Sequence, residues 1–162
     1  MQIEASFGTN DPFESLVELY GDTVTRICYL HLYNTQDAED CWQNVFLKLF
    51  KAANMWDKPP DELRRWVITV ALNECRDTVR KRFYRRHDNI DELVIPYIEN
   101  FDKSVIDAVK RLPAKYSRVV YLHYYEGYSI EEMSRILGRK ENTVKSQLKR
   151  GRELLKGVLG DE

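Results

Sequence analysis

The sequence has few residues that break helices. Its 162 residues include 7 glycines and 5 prolines, and no stretch alternates apolar and polar side chains with a period of two. Apolar residues recur instead at spacings of three and four, as they do on one face of an α-helix. We therefore predict an all-α fold. With 43% hydrophobic and 31% charged residues, the composition indicates a folded chain rather than a disordered one.

Cysteine is also scarce. The chain has only Cys28, Cys41 and Cys75, an odd number of widely separated residues, each within an apolar helical pattern. This distribution favours neither a disulfide framework nor a metal site, and it predicts three core residues.

Catalytic motifs are missing from the sequence. His31, His87 and His123 lie far apart, no nucleophile or metal-spaced motif is present, and there is no glycine-rich phosphate loop. An enzyme is therefore the least supported class, and we expect no cofactor and no small-molecule substrate.

Long apolar runs are absent too. None approaches the roughly 18 residues that a membrane-spanning helix needs. The first thirty residues do not combine a basic start, an apolar segment and a cleavage site of small residues. We expect a cytoplasmic protein without direct membrane insertion.

The net charge of −1 conceals two basic blocks. Residues 1–63 carry 4 basic and 11 acidic side chains, whereas residues 64–86 carry 8 basic and 2 acidic ones. Residues 129–162 are basic again, with 8 against 6. Such segregation fits a protein with one protein partner and one polyanionic ligand. From charge alone, solvated helix faces explain it equally well.

The helical patterns fall into two groups. Three helices are predicted in the first group, from Asp11 to about Tyr33, from a cap at Asn34 or Thr35, and from Asp61 to the end of the basic block. Residues 87–101 have no clear period and contain a proline, so we predict a flexible linker there. It separates two small helical domains, 8–86 and 102–160.

The second group contains a helix-turn-helix pattern. After helices at 102–112 and 114–126, Ser129 and Glu132 form a capping box before a short helix that Gly138 ends. The next helix, 141–157, has an apolar stripe opposite a basic row. A short helix, a turn with glycine and an amphipathic basic helix are typical of a major-groove reader. An ordinary basic surface helix is the alternative.

The row on the last helix divides by predicted role. Lys145, Ser146 and Lys149 are best placed to touch base edges. The remaining five residues are predicted to contact phosphates of the DNA backbone. These are Asn142, Thr143, Arg150, Arg152 and Lys156.

Two sets of motifs resemble extracytoplasmic-function (ECF) RNA polymerase sigma factors. In the second half they are Leu112-Pro113, Glu126-Gly127, Ser129, Leu137-Gly138 and Thr143-Val144-Lys145-Ser146. In the first half they are Asp37-Ala38-Glu39-Asp40 with Gln43 and Leu47, then Leu63-Arg64, Trp66, Asn73, Asp77 and Arg80. Response regulators share a module like the second half but have nothing like the first. The resemblance covers about residues 11–158.

This resemblance implies an alternative sigma factor whose first domain binds core RNA polymerase. The implied partners are the clamp helices of the largest subunit, the flap of the second-largest subunit, promoter DNA and an anti-sigma factor. The residues that it implies in binding core RNA polymerase are Asp37, Glu39, Asp40, Gln43 and Leu47.

The resemblance also assigns the DNA contacts. The residues that it implies in recognition and melting of the −10 element are Asn73, Arg76, Arg80 and the loop from Asn54 to Pro60. The resemblance implies that the last helix contacts the −35 element. Departures such as Asn44 and Glu141-Asn142 from the family pattern leave the promoter sequence unpredicted. The alternative function is a stand-alone helix-turn-helix regulator that never touches polymerase.

Overall fold

The computed structural model describes residues 11–85 and 102–160, with the backbone alone at 83–85. Within those ranges the chain forms seven α-helices and no strand, so the all-α prediction is confirmed. The helices fall into two compact units, separated after the third helix, except that Leu30–Leu32 group with the second unit. The predicted linker, 87–101, lies outside the described residues, and the domain bounds that depend on it stay a prediction.

The first unit contains three long helices. They are α1 (Pro12–His31), α2 (Thr35–Lys51) and α3 (Pro60–Arg85), with one turn of 3-10 helix at Ala53–Met55.

Polar residues set where these helices begin. The Asp11 carboxylate accepts the N–H of Phe13 at 3.1 Å, and the Asn34 side chain accepts the N–H of Asp37 at 2.8 Å. Asn34, not Thr35, is therefore the cap of α2. Pro60 opens α3 at the position where a missing N–H costs nothing.

The core of the first unit is formed by one stripe from each helix. Its fully buried side chains are Val24, Ile27, Cys41, Val45, Leu49, Val67, Ile68, Ala71 and Cys75. The spacing of these residues along each helix is the three-and-four pattern seen in the sequence.

The second unit contains four shorter helices. They are α4 (Lys103–Lys110), α5 (Ala114–Val120), α6 (Ile130–Leu137) and α7 (Glu141–Gly160), and a π-helical turn, Tyr121–Tyr125, extends α5. The sequence predicted one regular helix over 114–126. The wider π turn brings residues five apart onto one face, where the buried Tyr121 hydroxyl donates to the Glu126 carboxylate at 2.5 Å.

The predicted capping box is confirmed at the start of α6. Ser129 Oγ accepts the N–H of Glu132 at 3.1 Å, and the Glu132 carboxylate accepts the N–H of Ser129 at 2.9 Å. Gly138 ends α6 with a φ of 63°, a left-handed conformation that glycine adopts without strain. Across 11–85 and 102–160, no helix has both the length and the apolar character needed to cross a membrane.

Candidate nucleic-acid and polymerase interfaces

One face of α7 is fixed against the rest of its unit. Val144, Leu148 and Gly151 are buried. At Gly151 the backbone approaches α5 so closely that a β-carbon would lie 2.7 Å from Val120 Cγ2 and 3.5 Å from Tyr116 Cβ. This buried stripe sets the rotation of α7, so the opposite face points to solvent.

All eight residues predicted to contact −35 DNA are exposed on α7. They are Asn142, Thr143, Lys145, Ser146, Lys149, Arg150, Arg152 and Lys156, here called the α7 surface. Lys145, Lys149, Arg152 and Lys156 follow spacings of four, three and four, which places them in one row. The structure brings the predicted residues together, and their contacts with DNA stay predictions.

The turn before α7 is held by side chains on both sides. Ser134 Oγ hydrogen-bonds to the carbonyl of Arg139, while Arg139 Nη1 donates to Gln147 Oε1 at 2.9 Å. These bonds tie the end of α6 and the turn to the middle of α7. The helix-turn-helix is therefore held by its turn as well as by its core, which fixes the orientation of the α7 surface.

Most cations of the α7 surface form no ion pair within residues 102–160. Arg150 pairs with Glu153 at 3.3 Å on the exposed side of the helix. Within residues 102–160, Lys145, Lys149, Arg152 and Lys156 form no ion pair. Their charges are thus available to phosphates at little cost in broken contacts. Ser146 donates its hydroxyl hydrogen to the carbonyl of Asn142 at 3.0 Å, which leaves the oxygen able to accept a bond.

Four of the five residues predicted to bind polymerase form an exposed patch on α2. Glu39, Asp40, Gln43 and Leu47, here called the α2 surface, are all exposed. Leu47 keeps 51% of its area accessible. The patch therefore combines carboxylates with an apolar contact, a combination that suits a protein partner.

Asp37 differs from the other four. Its carboxylate accepts a hydrogen bond from Asn34 Nδ2 at 2.7 Å and pairs with Arg82 Nη1 at 2.6 Å. Only 27% of its side chain is exposed. We interpret Asp37 as a residue that joins the start of α2 to the end of α3 rather than as a direct contact with polymerase.

Phe50 is a further member of this region that sequence reasoning missed. It is 57% exposed and lies three residues after Leu47 on the same face of α2. Its ring packs edge-on against Phe13, with centroids 5.2 Å apart. The i, i+3 spacing from Leu47 was the signal available in the sequence.

The residues predicted to act at the −10 element also share one exposed face. Asn73, Arg76 and Arg80 follow spacings of three and four on α3, and all three are exposed. Arg82, in the same basic block, is committed to Asp37. The block therefore offers fewer cations to DNA than its charge of +6 suggests.

The loop from Asn54 to Pro60 is anchored by its tryptophan. Trp56 Nε1 donates to the carbonyl of Leu49 at 2.9 Å, and its ring stacks on Phe13 with centroids 5.8 Å apart. The exposed residues Asn54, Asp57 and Lys58 flank this anchor. The loop thus has a fixed base and an accessible rim.

Comparison with known proteins identifies both units. The model of Sigma-70 region 2 matches residues 16–85, and that of Sigma-70 region 4 matches residues 102–155. The ECF RNA polymerase sigma factor SigW of Bacillus subtilis is 27% identical over 173 residues, covering 95% of this chain and 92% of SigW. BldN of Streptomyces coelicolor, another ECF sigma factor, is 25% identical, and the match covers 98% of this chain and 64% of BldN.

A solved structure supports the fold. The sigma factor RpoE of Bartonella quintana, crystallised with the anti-sigma factor NepR, superposes with a TM-score of 0.74 at 22% identity, covering 91% of this chain and 96% of RpoE. The region 2 and region 4 matches occur in that order on the two helical units described above. The chain belongs to the extracytoplasmic-function group of the sigma-70 family of RNA polymerase sigma factors.

Proposed function

We propose that this sigma factor attaches to core RNA polymerase through the α2 surface and directs it to promoters through α3 and α7. The observation that carries the proposal is the arrangement on α7, where a buried stripe fixes the helix and a row of cations that form no ion pair within residues 102–160 faces solvent. That geometry suits a recognition helix in the major groove of the −35 element.

The first unit supports the other half of the proposal. Asn73, Arg76 and Arg80 on α3 would contact the −10 element, and the rim of the Asn54–Pro60 loop would contribute from the other end of the helix. Cationic groups that track phosphates, beside amides able to pair with an extruded base, suit the capture of single-stranded DNA.

The proposed protein partners follow from the α2 surface. Glu39 and Asp40 carry negative charge toward the clamp helices of the largest polymerase subunit, and Leu47 adds an apolar contact. We further propose that region 4 meets the flap of the second-largest subunit. An anti-sigma factor is a further proposed partner, since RpoE was crystallised with one, NepR, and it would cover these surfaces.

The remaining assignments follow from this role. The protein would act in the cytoplasm, where polymerase and promoter DNA meet, and it would not be an enzyme itself because catalysis belongs to the polymerase. It would need neither a cofactor nor a small-molecule substrate for this activity.

The test is run-off transcription with purified core polymerase on a promoter taken from upstream of the protein's own gene. We expect a specific transcript only when core and this chain are combined. The double variant Asp40→Ala/Gln43→Ala should lose core binding, and Lys145→Ala/Lys149→Ala should keep core binding but lose the transcript. Lys103→Ala, which removes an exposed lysine of α4 outside these surfaces, is the matched control.

The same preparation separates the sigma factor from a stand-alone regulator. A sigma factor should bind promoter duplex well only as part of the holoenzyme. Tight, sequence-specific duplex binding by the chain alone, together with no affinity for core polymerase, would overturn the proposal.

A further inference from the structure

The three cysteines converge inside the first unit, although the sequence predicted only separate core residues. Cys28 comes from α1, Cys41 from α2 and Cys75 from α3. Their sulfur atoms all lie within 4.8 Å of one another, and those of Cys41 and Cys75 are 3.5 Å apart. All three are buried, as predicted. The chain has no other cysteine.

This geometry is close to that of a thiolate metal site. A zinc–sulfur bond is about 2.3 Å long, so sulfurs that share one ion lie about 3.8 to 4.0 Å apart. The sulfur separations in the cluster straddle that range. Small rotations of the side chains would therefore bring all three sulfurs into the first coordination shell of one ion.

Packing alone is the competing explanation, because a free cysteine often behaves as a small apolar core residue. That role does not require sulfurs from three different helices to meet at one point. Valine and leucine fill the other contacts of these helices, at Val24, Val45 and Leu49 for example.

We propose that Cys28, Cys41 and Cys75 form a three-thiolate site for one soft, thiophilic cation. Among the described residues, no histidine or carboxylate joins the cluster as a fourth side-chain ligand. Thiolates select ions such as Cu⁺ and Zn²⁺. Three sulfur ligands suit three-coordinate Cu⁺ better than Zn²⁺, which almost always takes four ligands in structural sites. We therefore expect Cu⁺ to bind more tightly than Zn²⁺ or Cd²⁺.

Binding must displace protons. Three metal–sulfur bonds form as the three thiol S–H bonds release their hydrogens as protons to solvent, and no electron is transferred. Proton release should therefore accompany binding, and affinity should rise with pH.

Lys48 and Glu74 lie beside the cluster and influence it in opposite directions. They form an ion pair between α2 and α3, and both act electrostatically on Cys41, where the ammonium favours the thiolate and the carboxylate disfavours it. An ion bound here would join α1 to α2 and α3, the helices that carry the α2 surface and the −10 residues.

The test uses the full chain, reduced and freed of metal, in an anaerobic titration. Cu⁺ is added against a chromogenic competing chelator, and Zn²⁺ and Cd²⁺ are titrated in parallel while thiolate-to-metal charge-transfer absorption is followed. We expect one Cu⁺ per chain, proton release and a higher midpoint of chemical denaturation. Because the chain has no other thiol, any thiolate absorption must come from these three residues.

Variants locate the site. Cys28→Ser, Cys41→Ser and Cys75→Ser should each weaken binding by more than the roughly 10- to 100-fold loss typical of an outer-shell change. His123→Gln, which replaces a histidine of the second unit outside the cluster, should bind as the parent does. Circular dichroism checks folding, and Cys→Ala replaces any serine variant that unfolds.

Two outcomes would overturn the site. One is the absence of stoichiometric binding by the folded chain, with thiols that react only after denaturation, as buried packing residues would. The other is Cu⁺ affinity that survives Cys41→Ser in a folded protein.

Discussion

The two helices assigned to DNA, α3 and α7, hold their cations in different ways. On α7 an apolar stripe supplies the anchoring, and Lys145, Lys149, Arg152 and Lys156 are left without acidic partners within residues 102–160. On α3 the anchoring uses charge as well, because Glu74 pairs with Lys48 of α2 and Arg82 pairs with Asp37.

This contrast shows that equal charge along a sequence does not mean equal charge available to a ligand. Residues 64–86 carry a net +6 and residues 129–162 only +2, yet in the part of the chain that the structure describes α7 presents the longer row of cations without an ion pair. Part of the basic block in α3 holds the first unit together. The segment with less net charge therefore contains the better candidate for duplex recognition.

The largest effect should come from disturbing the anchor of α7. Gly151→Ala places a methyl carbon 2.7 Å from Val120 Cγ2. This distance is too short for two carbon atoms, so the buried valine or the helix backbone must move. We expect the second unit to lose about 1 to 3 kcal/mol of stability from overpacking. Chemical denaturation followed by circular dichroism measures this loss, and binding to core polymerase through α2 should persist.

Gly157 on the same helix is the matched control. A β-carbon there meets nothing within 4 Å, so Gly157→Ala should stabilise the helix by up to about 1 kcal/mol through helix propensity. Equal effects of the two substitutions would show that α7 is not anchored at Gly151.

The next largest effect should come from the charge anchor of the first unit. Asp37→Ala removes the partner of Arg82 and one hydrogen bond to Asn34, so we expect a loss of about 1 to 2 kcal/mol. Asp40→Ala on the same turn lacks those contacts and should change stability by less than about 0.5 kcal/mol. Chemical denaturation and core-binding titrations are measured on both variants. Asp37→Ala should lose stability and keep its affinity for core polymerase, whereas Asp40→Ala should keep its stability and lose affinity.

If Asp37→Ala lost affinity for core polymerase but kept its stability, Asp37 would be a polymerase contact, as the sequence predicted. That result would also weaken the contrast between α3 and α7, because the pair of Arg82 with Asp37 would contribute little to stability.

The sequence predicted the helices well because their signals are local. The cap at Asn34, the capping box at Ser129 and the stop at Gly138 depend on neighbours within a few positions. The exposed row on α7 followed from helical periodicity, so its members were also predictable. The π turn at Tyr121–Tyr125 was not, because no periodic signal marks the extra residue.

Contacts between distant residues were out of reach for the same reason. The ion pair of Asp37 with Arg82 spans 45 positions, and the approach of Cys41 to Cys75 spans 34. One sequence shows residue types and local spacing but not which helix faces meet. The role of Asp37 and the cysteine cluster therefore emerged only from the packed structure.

Within α7, the contrast between base reading and phosphate contact predicts a moderate effect. Lys145→Ala should reduce discrimination between −35 sequences by about 1 kcal/mol, since a side chain at a base edge carries sequence information. Holoenzyme binding across a panel of −35 variants measures it. An unchanged ranking of the variants would remove Lys145 from the base-reading group.

Arg152→Ala should produce the smallest and most uniform change. It is exposed, lies two turns from Lys145 on the same row and has no ion pair within 102–160, so its loss should leave stability within about 0.5 kcal/mol of the parent. If Arg152 neutralises one phosphate, the log–log slope of holoenzyme binding against salt should fall in magnitude by about 0.9. Every −35 variant should weaken by the same factor. A change in their ranking would mean that α7 contacts bases along its whole length. The separate assignment of Lys145 to bases and Arg152 to phosphates would then be wrong.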